Sequence, residues 1–160
     1  MLDIKQAYAK LESSKKFKKE GYLCSFFIMS PIKELESQAW QIDFYSEKDD
    51  EMTSYIVSED IKVENDNSKI FKDDKDKIHE LKLDAIKTNI KEILKETNEL
   101  VKKYYETPAK IIIVLQKLEK TIWNISYITE TFNLINIKID ASTGKIISEN
   151  RSSLLSFKAD

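Results

Sequence analysis

The chain has 160 residues and a formal net charge of −2, with 41% hydrophobic and 34% charged residues. That length suits one domain or two very small ones, with a core and a well-solvated surface. The near-neutral, slightly acidic balance, with Arg151 as the sole arginine, speaks against nucleic acid, whose binders favour guanidinium forks.

Cys24 is the single cysteine, so neither an intramolecular disulfide nor a cysteine-based zinc site can form. It lies in an apolar run and reads as a small buried hydrophobe. No window approaches the roughly 18 apolar residues of a membrane span. The charged N-terminus has no apolar export core or cleavage site. The expectation is a cytoplasmic protein without a membrane segment. Gly21, Gly144, Pro31 and Pro108 are the only such punctuators. They leave long regular elements and no glycine-rich phosphate loop.

In chain order, residues 3–19 read as a helix, with Ile4, Ala7, Tyr8, Leu11 and Phe17 on one stripe. Tyr22 to Met29 reads as a buried strand. Gln38 to Tyr45 alternates, with Trp40, Ile42 and Phe44 on one face. Ser46 to Met52 is an acidic loop. Thr53 to Val63 is a strand region with an interruption at Ser58 to Asp60. Glu64 to Ser68 reads as a turn, and Lys69 to Phe71 as a short return strand. The charge run Lys72 to Lys77 reads as a solvated linker or helix start. Ile78 to Tyr105 carries the longest helical pattern and ends before Pro108. Ala109 to Leu115 is a continuous β-branched run, expected in an interior strand covered on both faces. From Thr121 to Ile147 come two alternating strands, a turn and a third strand. Leu154, Leu155 and Phe157 form a last apolar patch.

The two halves match. Trp40-Gln-Ile-Asp-Phe parallels Trp123-Asn-Ile-Ser-Tyr, and Ile61 to Ile70 parallels Ile137 to Ile146. The first copy is longer in its middle, at the acidic loop. The pattern predicts an α+β fold of two α-β-β-β repeats, residues 1–72 and 73–160, with antiparallel sheet or sheets backed by helices.

The second unit resembles a PepSY domain. The residues that carry the likeness are Trp123 and Tyr127 in one strand, then Ile137-Lys-Ile-Asp140-Ala-Ser-Thr143-Gly144-Lys145-Ile146-Ile147, which follows that family's D-x-x-T-G-K closing turn. The first unit departs from it, with Glu64, Asn67 and Ser68 where Asp140, Thr143 and Gly144 stand. The resemblance implies a cystatin-like fold and a role in binding or inhibiting peptidases. It supplies no catalytic residue.

No phosphate-loop, dinucleotide, zinc-protease or nucleophile-elbow motif is present. His79 is the only histidine, and it reads as a solvent-facing helix residue. No catalytic, cofactor or metal residues are expected. Trp40, Trp123 and Tyr127 are the candidate binding residues, either as core or as an aromatic platform for a partner. The leading expectation is a non-enzymatic protein-binding or regulatory module, modulating a peptidase or associating with itself through sheet edges. The alternative is a carrier of a small apolar ligand, in a pocket lined by Ile93, Ile125, Tyr127 and Ile137. A carboxylate-based hydrolase is the third reading.

Overall fold

The computed structural model describes residues 1–69 and 77–157. The predicted return strand from Ile70 and most of the Lys72–Lys77 run lie outside them. So does the predicted boundary between residues 72 and 73.

Helix α1 (Ile4–Glu12) begins at a reciprocal cap: Asp3 accepts from the Lys5 N–H at 2.9 Å, and Gln6 reaches back to the Asp3 N–H. It stops at Ser13-Ser14, whose hydroxyls bond nearby backbone and compete with the helix. The expected helix over 3–19 is therefore short, and Phe17 reaches the core from a turn. Strands β1 (Tyr22–Pro31), β2 (Trp40–Ser46), β3 (Glu51–Val57) and β4 (Ile61–Lys69) follow. The stretch Glu64–Ser68, expected to turn, belongs to β4 and pairs with β3.

Helix α2 (Ile90–Lys102) also starts later than its apolar pattern predicts. The Leu81 N–H bonds the Leu23 carbonyl at 2.8 Å, and the Lys87 and Thr88 N–H groups both reach the Ala141 carbonyl. These bonds hold residues 77–89 extended against the sheet apart from one 3-10 turn, Leu83–Ala85. Asn89 then caps α2 by accepting from the Lys91 N–H. His79 thus stands in the extended segment, half-buried, and not on a helix. Strands β5 (Pro108–Lys117), β6 (Thr121–Thr129), β7 (Asn133–Asp140) and β8 (Ile146–Ser153) complete the sheet, and Leu154–Phe157 forms a short 3-10 turn.

All eight strands form one antiparallel sheet in the order β4-β3-β2-β1-β5-β6-β7-β8. This corrects the expected α-β-β-β repeats backed by helices in a cystatin-like arrangement. Among the described residues strand far outweighs helix, so the helices are a partial cover. The discrepancy arises because each half holds four strands: the break at Ser58–Asp60 is a hairpin turn, and β4 continues through polar residues. The sheet is continuous because β1 pairs with β5, from Ser25↔Gln116 to Pro31↔Lys110. With the strands of each half counted one to four, the order reads the same from either edge.

One core lies between the sheet and the two helices. Ile4, Ala7 and Leu11 of α1 and Ile90, Ile93, Leu94 and Val101 of α2 meet the alternate residues Phe26, Ile28, Ile42, Ile113, Ile125 and Ile137. The residues between these point to the other face, against which no helix packs among the described residues.

Candidate functional site: the uncovered sheet face

Trp40, Trp123 and Tyr127 all lie in the core with 0% exposure. The Trp40 indole donates to the Leu2 carbonyl at 2.8 Å, and the Trp123 indole donates to Thr88 Oγ1 at 2.9 Å. Tyr127 donates to Asn98 Oδ1 at 2.8 Å and lies 2.7 Å from Thr97 Oγ1. Burial pushes its phenol up to about 12, with the Thr97 contact working the other way. These three side chains fasten helix to sheet and present no surface platform. Ile93, Ile125, Tyr127 and Ile137, expected to line a pocket, are packed side chains at most 3% exposed.

The uncovered face has a different composition. One row crosses all eight strands: Lys62, Ile56, Gln41, Phe27, Val114, Asn124, Lys138 and Ser148. Its middle is apolar. Phe27 pairs with Val114 and Met29 with Ile112; the first two and Ile112 are half-buried, and Met29 is 59% exposed. The expectation that β5 is covered on both faces is therefore corrected, since Ile112 and Val114 face away from the helices. Beside this centre stand neutral polar groups. Asn136 donates to Asn124 Oδ1 at 2.6 Å and to Ser126 Oγ at 2.9 Å. By register, Asp43 and Lys110 are the only charges that β1, β2, β5 and β6 turn to this side. In a chain one-third charged, that depletion sets the centre of this face apart from an ordinary solvated surface.

Asp43 is 7% exposed and fully engaged. Ser25 donates to Oδ2 at 2.6 Å, while Ser54 at 2.5 Å and Gln41 at 2.9 Å donate to Oδ1. The register explains the cluster, because Ser25, Asp43 and Ser54 sit opposite one another on three adjacent strands. No histidine stands on these strands to activate either serine. The other buried aspartate, Asp140, lies in the same row four strands away. At about 4.8 Å per strand that is roughly 19 Å, well beyond the 5–10 Å that separates the carboxylates of a glycosidase. These two acids do not form an acid–base pair. Among the described residues no three acids, histidines or cysteines gather as metal ligands.

The closing turn of the second half is built by Asp140. Its Oδ1 accepts from the Ser142 N–H at 2.8 Å and the Thr143 N–H at 3.1 Å, and Gly144 supplies a positive φ of 76°. The Ser142 N–H in particular holds this carboxyl below its ordinary range; burial opposes, and Thr143 and Lys120 add to the lowering. Ala141, just beyond, receives the backbone of Lys87 and Thr88. The motif is thus a brace between the sheet and the start of α2.

Sequence reasoning missed the face. The adjacent apolar runs of β1 and β5 were the available signal: with helices on one side only, half of each run must face outward.

No family model matches the chain, and no curated protein matches its sequence. Its fold is similar to that of a crystal structure described as a putative lipoprotein from Clostridium difficile 630, with a TM-score of 0.56, 12% identity and 84% of each chain covered. At that identity the likeness is one of fold. The cytoplasmic expectation does not stand, because it was drawn from missing apolar and export segments, whereas a lipid anchor is covalent and needs no apolar helix. Among the described residues no helix is long and apolar enough to cross a membrane, which says nothing of a β-barrel.

Proposed function

We propose that this chain is a non-enzymatic binding module that docks another protein on the uncovered face of its sheet. The observation that carries the reading is the charge-poor centre formed by Phe27, Met29, Ile112 and Val114, flanked by amide and hydroxyl groups. The size agrees. Eight strands of seven to ten residues, at about 4.8 Å between strands and 3.4 Å per residue, span roughly 1,100 Å², enough for one side of a standard interface. The partner that fits has an apolar centre and a rim of neutral hydrogen-bonding groups.

The PepSY-like reading is supported by the Asp140–Lys145 turn, and would make a peptidase one such partner. A duplicated origin is supported by the palindromic strand order and by the two matching tryptophans. The lipoprotein likeness supports work outside the cytoplasm.

A photo-crosslinking residue at position 29, compared with one at Lys95 on the outer side of α2, tests the reading in cells that make the protein. Position 29 should capture a discrete protein and position 95 should not. Equal capture at both, or none at 29, overturns it. A second reading, a carrier of a small apolar ligand, is favoured by a groove of about 420 Å³ between Leu118, Ile122 and Ile147. Native mass spectrometry would reveal a bound molecule, lost when Ile147 is replaced by Asp.

A further inference from the structure

We propose that two copies of this chain pair through β8, edge to edge and antiparallel, centred on Asn150. This contact uses a different surface from the uncovered face and stands without it.

The two edges of the sheet differ. β4 carries Lys62 and Glu64 and shifts register twice against β3. An edge lysine and repeated bulges of this kind discourage a further strand. β8 has neither lysine nor proline between Ile146 and Ser153, and it runs in regular register with β7 from Ser153 back to Ser148. Among the described residues its outer side pairs with no strand. Beyond one register shift at Ile147 it is a regular strand, with a row of backbone donors and acceptors along its outer edge.

Its charges choose both the partner and the register. Glu149 and Arg151 share a face, since their partners on β7 are Ile137 and Ile135. Both stay partly open to solvent while bonded within the chain: the Tyr104 hydroxyl donates to Glu149 at 2.7 Å, and Arg151 Nε donates to Glu106 at 3.0 Å. In a two-fold pair that keeps the two sheets continuous, the centre falls on a residue, and residues equally far from it stand opposite one another. Centred on Glu149 or on Arg151, the pair sets that residue against its own copy. Centred on Ser148, it sets Arg151 against Lys145. Centred on Asn150, it sets Glu149 opposite Arg151 of the second copy, and does so twice. It also sets Ser148 opposite Ser152 and aligns the strand from Ile147 to Ser153. Opposite charges directly across antiparallel strands stabilise, and like charges destabilise. Of the registers centred from Ser148 to Arg151, the Asn150 register is the one that sets opposite charges together.

Asn150 is exposed and meets its own copy at the centre. Asn150→Lys or Asn150→Glu alone therefore sets like charges together, and an equal mixture of the two variants sets opposite charges together. By sedimentation equilibrium the wild type should dimerise. Each variant alone should dissociate at least about tenfold more readily, and the mixture should return to dimer. Loss of fold cannot produce recovery on mixing. A monomeric wild type, two single variants that dimerise as the wild type does, or a mixture that stays monomeric would each overturn the proposal.

Discussion

Trp40 and Trp123 meet in the middle of the core, their ring centroids 6.4 Å apart and their planes tilted by 44°. Each indole N–H reaches the residue just before a helix cap: Leu2 precedes Asp3 of α1, and Thr88 precedes Asn89 of α2. One aromatic contact thus couples the starts of both helices to the two halves of the sheet. Replacing Trp123 by Phe removes the bond to Thr88 and leaves a small void, and should cost about 2 kcal/mol in urea unfolding. Tryptophan emission of the native protein should be blue-shifted and shielded from acrylamide. Ready quenching would place at least one ring at the surface.

The two glycines separate collision from strain. At Gly21, with φ of +78°, an added Cβ would run into the Tyr45 carbonyl. At Gly144, with φ of +76°, it would meet only Thr88 Cγ2 at an ordinary 3.5 Å. Gly144→Ala should cost about 1–2 kcal/mol, the usual penalty of that backbone region. Gly21→Ala must also displace backbone and should cost at least about 3 kcal/mol. Equal losses in thermal unfolding would contradict this assignment.

Asp140 gives the fold an acid-side dependence. Its carboxyl is held below the ordinary value, so the unfolded chain takes up that proton first as pH falls. The stability it contributes is complete above the unfolded value of about 3.9 and is lost as pH falls through the depressed folded value. Asp140→Asn keeps an oxygen for Ser142 and Thr143 but carries no titrating charge. Its denaturation midpoint should be lower than wild type at neutral pH, and the gap should narrow as pH falls below the unfolded value and through the depressed folded one.

Cys24 should be inert in the native protein. It is 5% exposed and donates to the Asp43 carbonyl at 3.3 Å. Burial, aided by the charge of Asp43, pushes its thiol up to about 12. At pH 8 it should react with a disulfide reagent only after denaturant is added, and the reaction rate should follow the opening of the sheet.

Much of the sheet was legible because alternation is a local signal. Trp40, Ile42 and Phe44, and again Trp123, Ile125 and Tyr127, share the face that their spacing predicts. What escaped depended on distant partners. The polar residues of β4 are strand because β3 supplies their backbone bonds. The helical pattern before Ile90 gives way because Leu23 and Ala141 hold that segment extended. The candidate face was hidden for a related reason. The runs Tyr22–Met29 and Ala109–Leu115 look fully buried, and only the placement of both helices on one side leaves Phe27, Ile112 and Val114 turned outward.

The β1–β5 pairing has a kinetic consequence. Every other strand pair joins neighbours in sequence through a short connection, whereas this one joins residues on either side of the 70–76 stretch, about half the chain apart. Hairpins close in microseconds, and pairing across such a separation is much slower. The rate-limiting event of folding should therefore be the zipping of Ser25–Pro31 onto Lys110–Gln116. Substitutions along that seam would slow refolding, while those at the outer hairpins would mainly hasten unfolding.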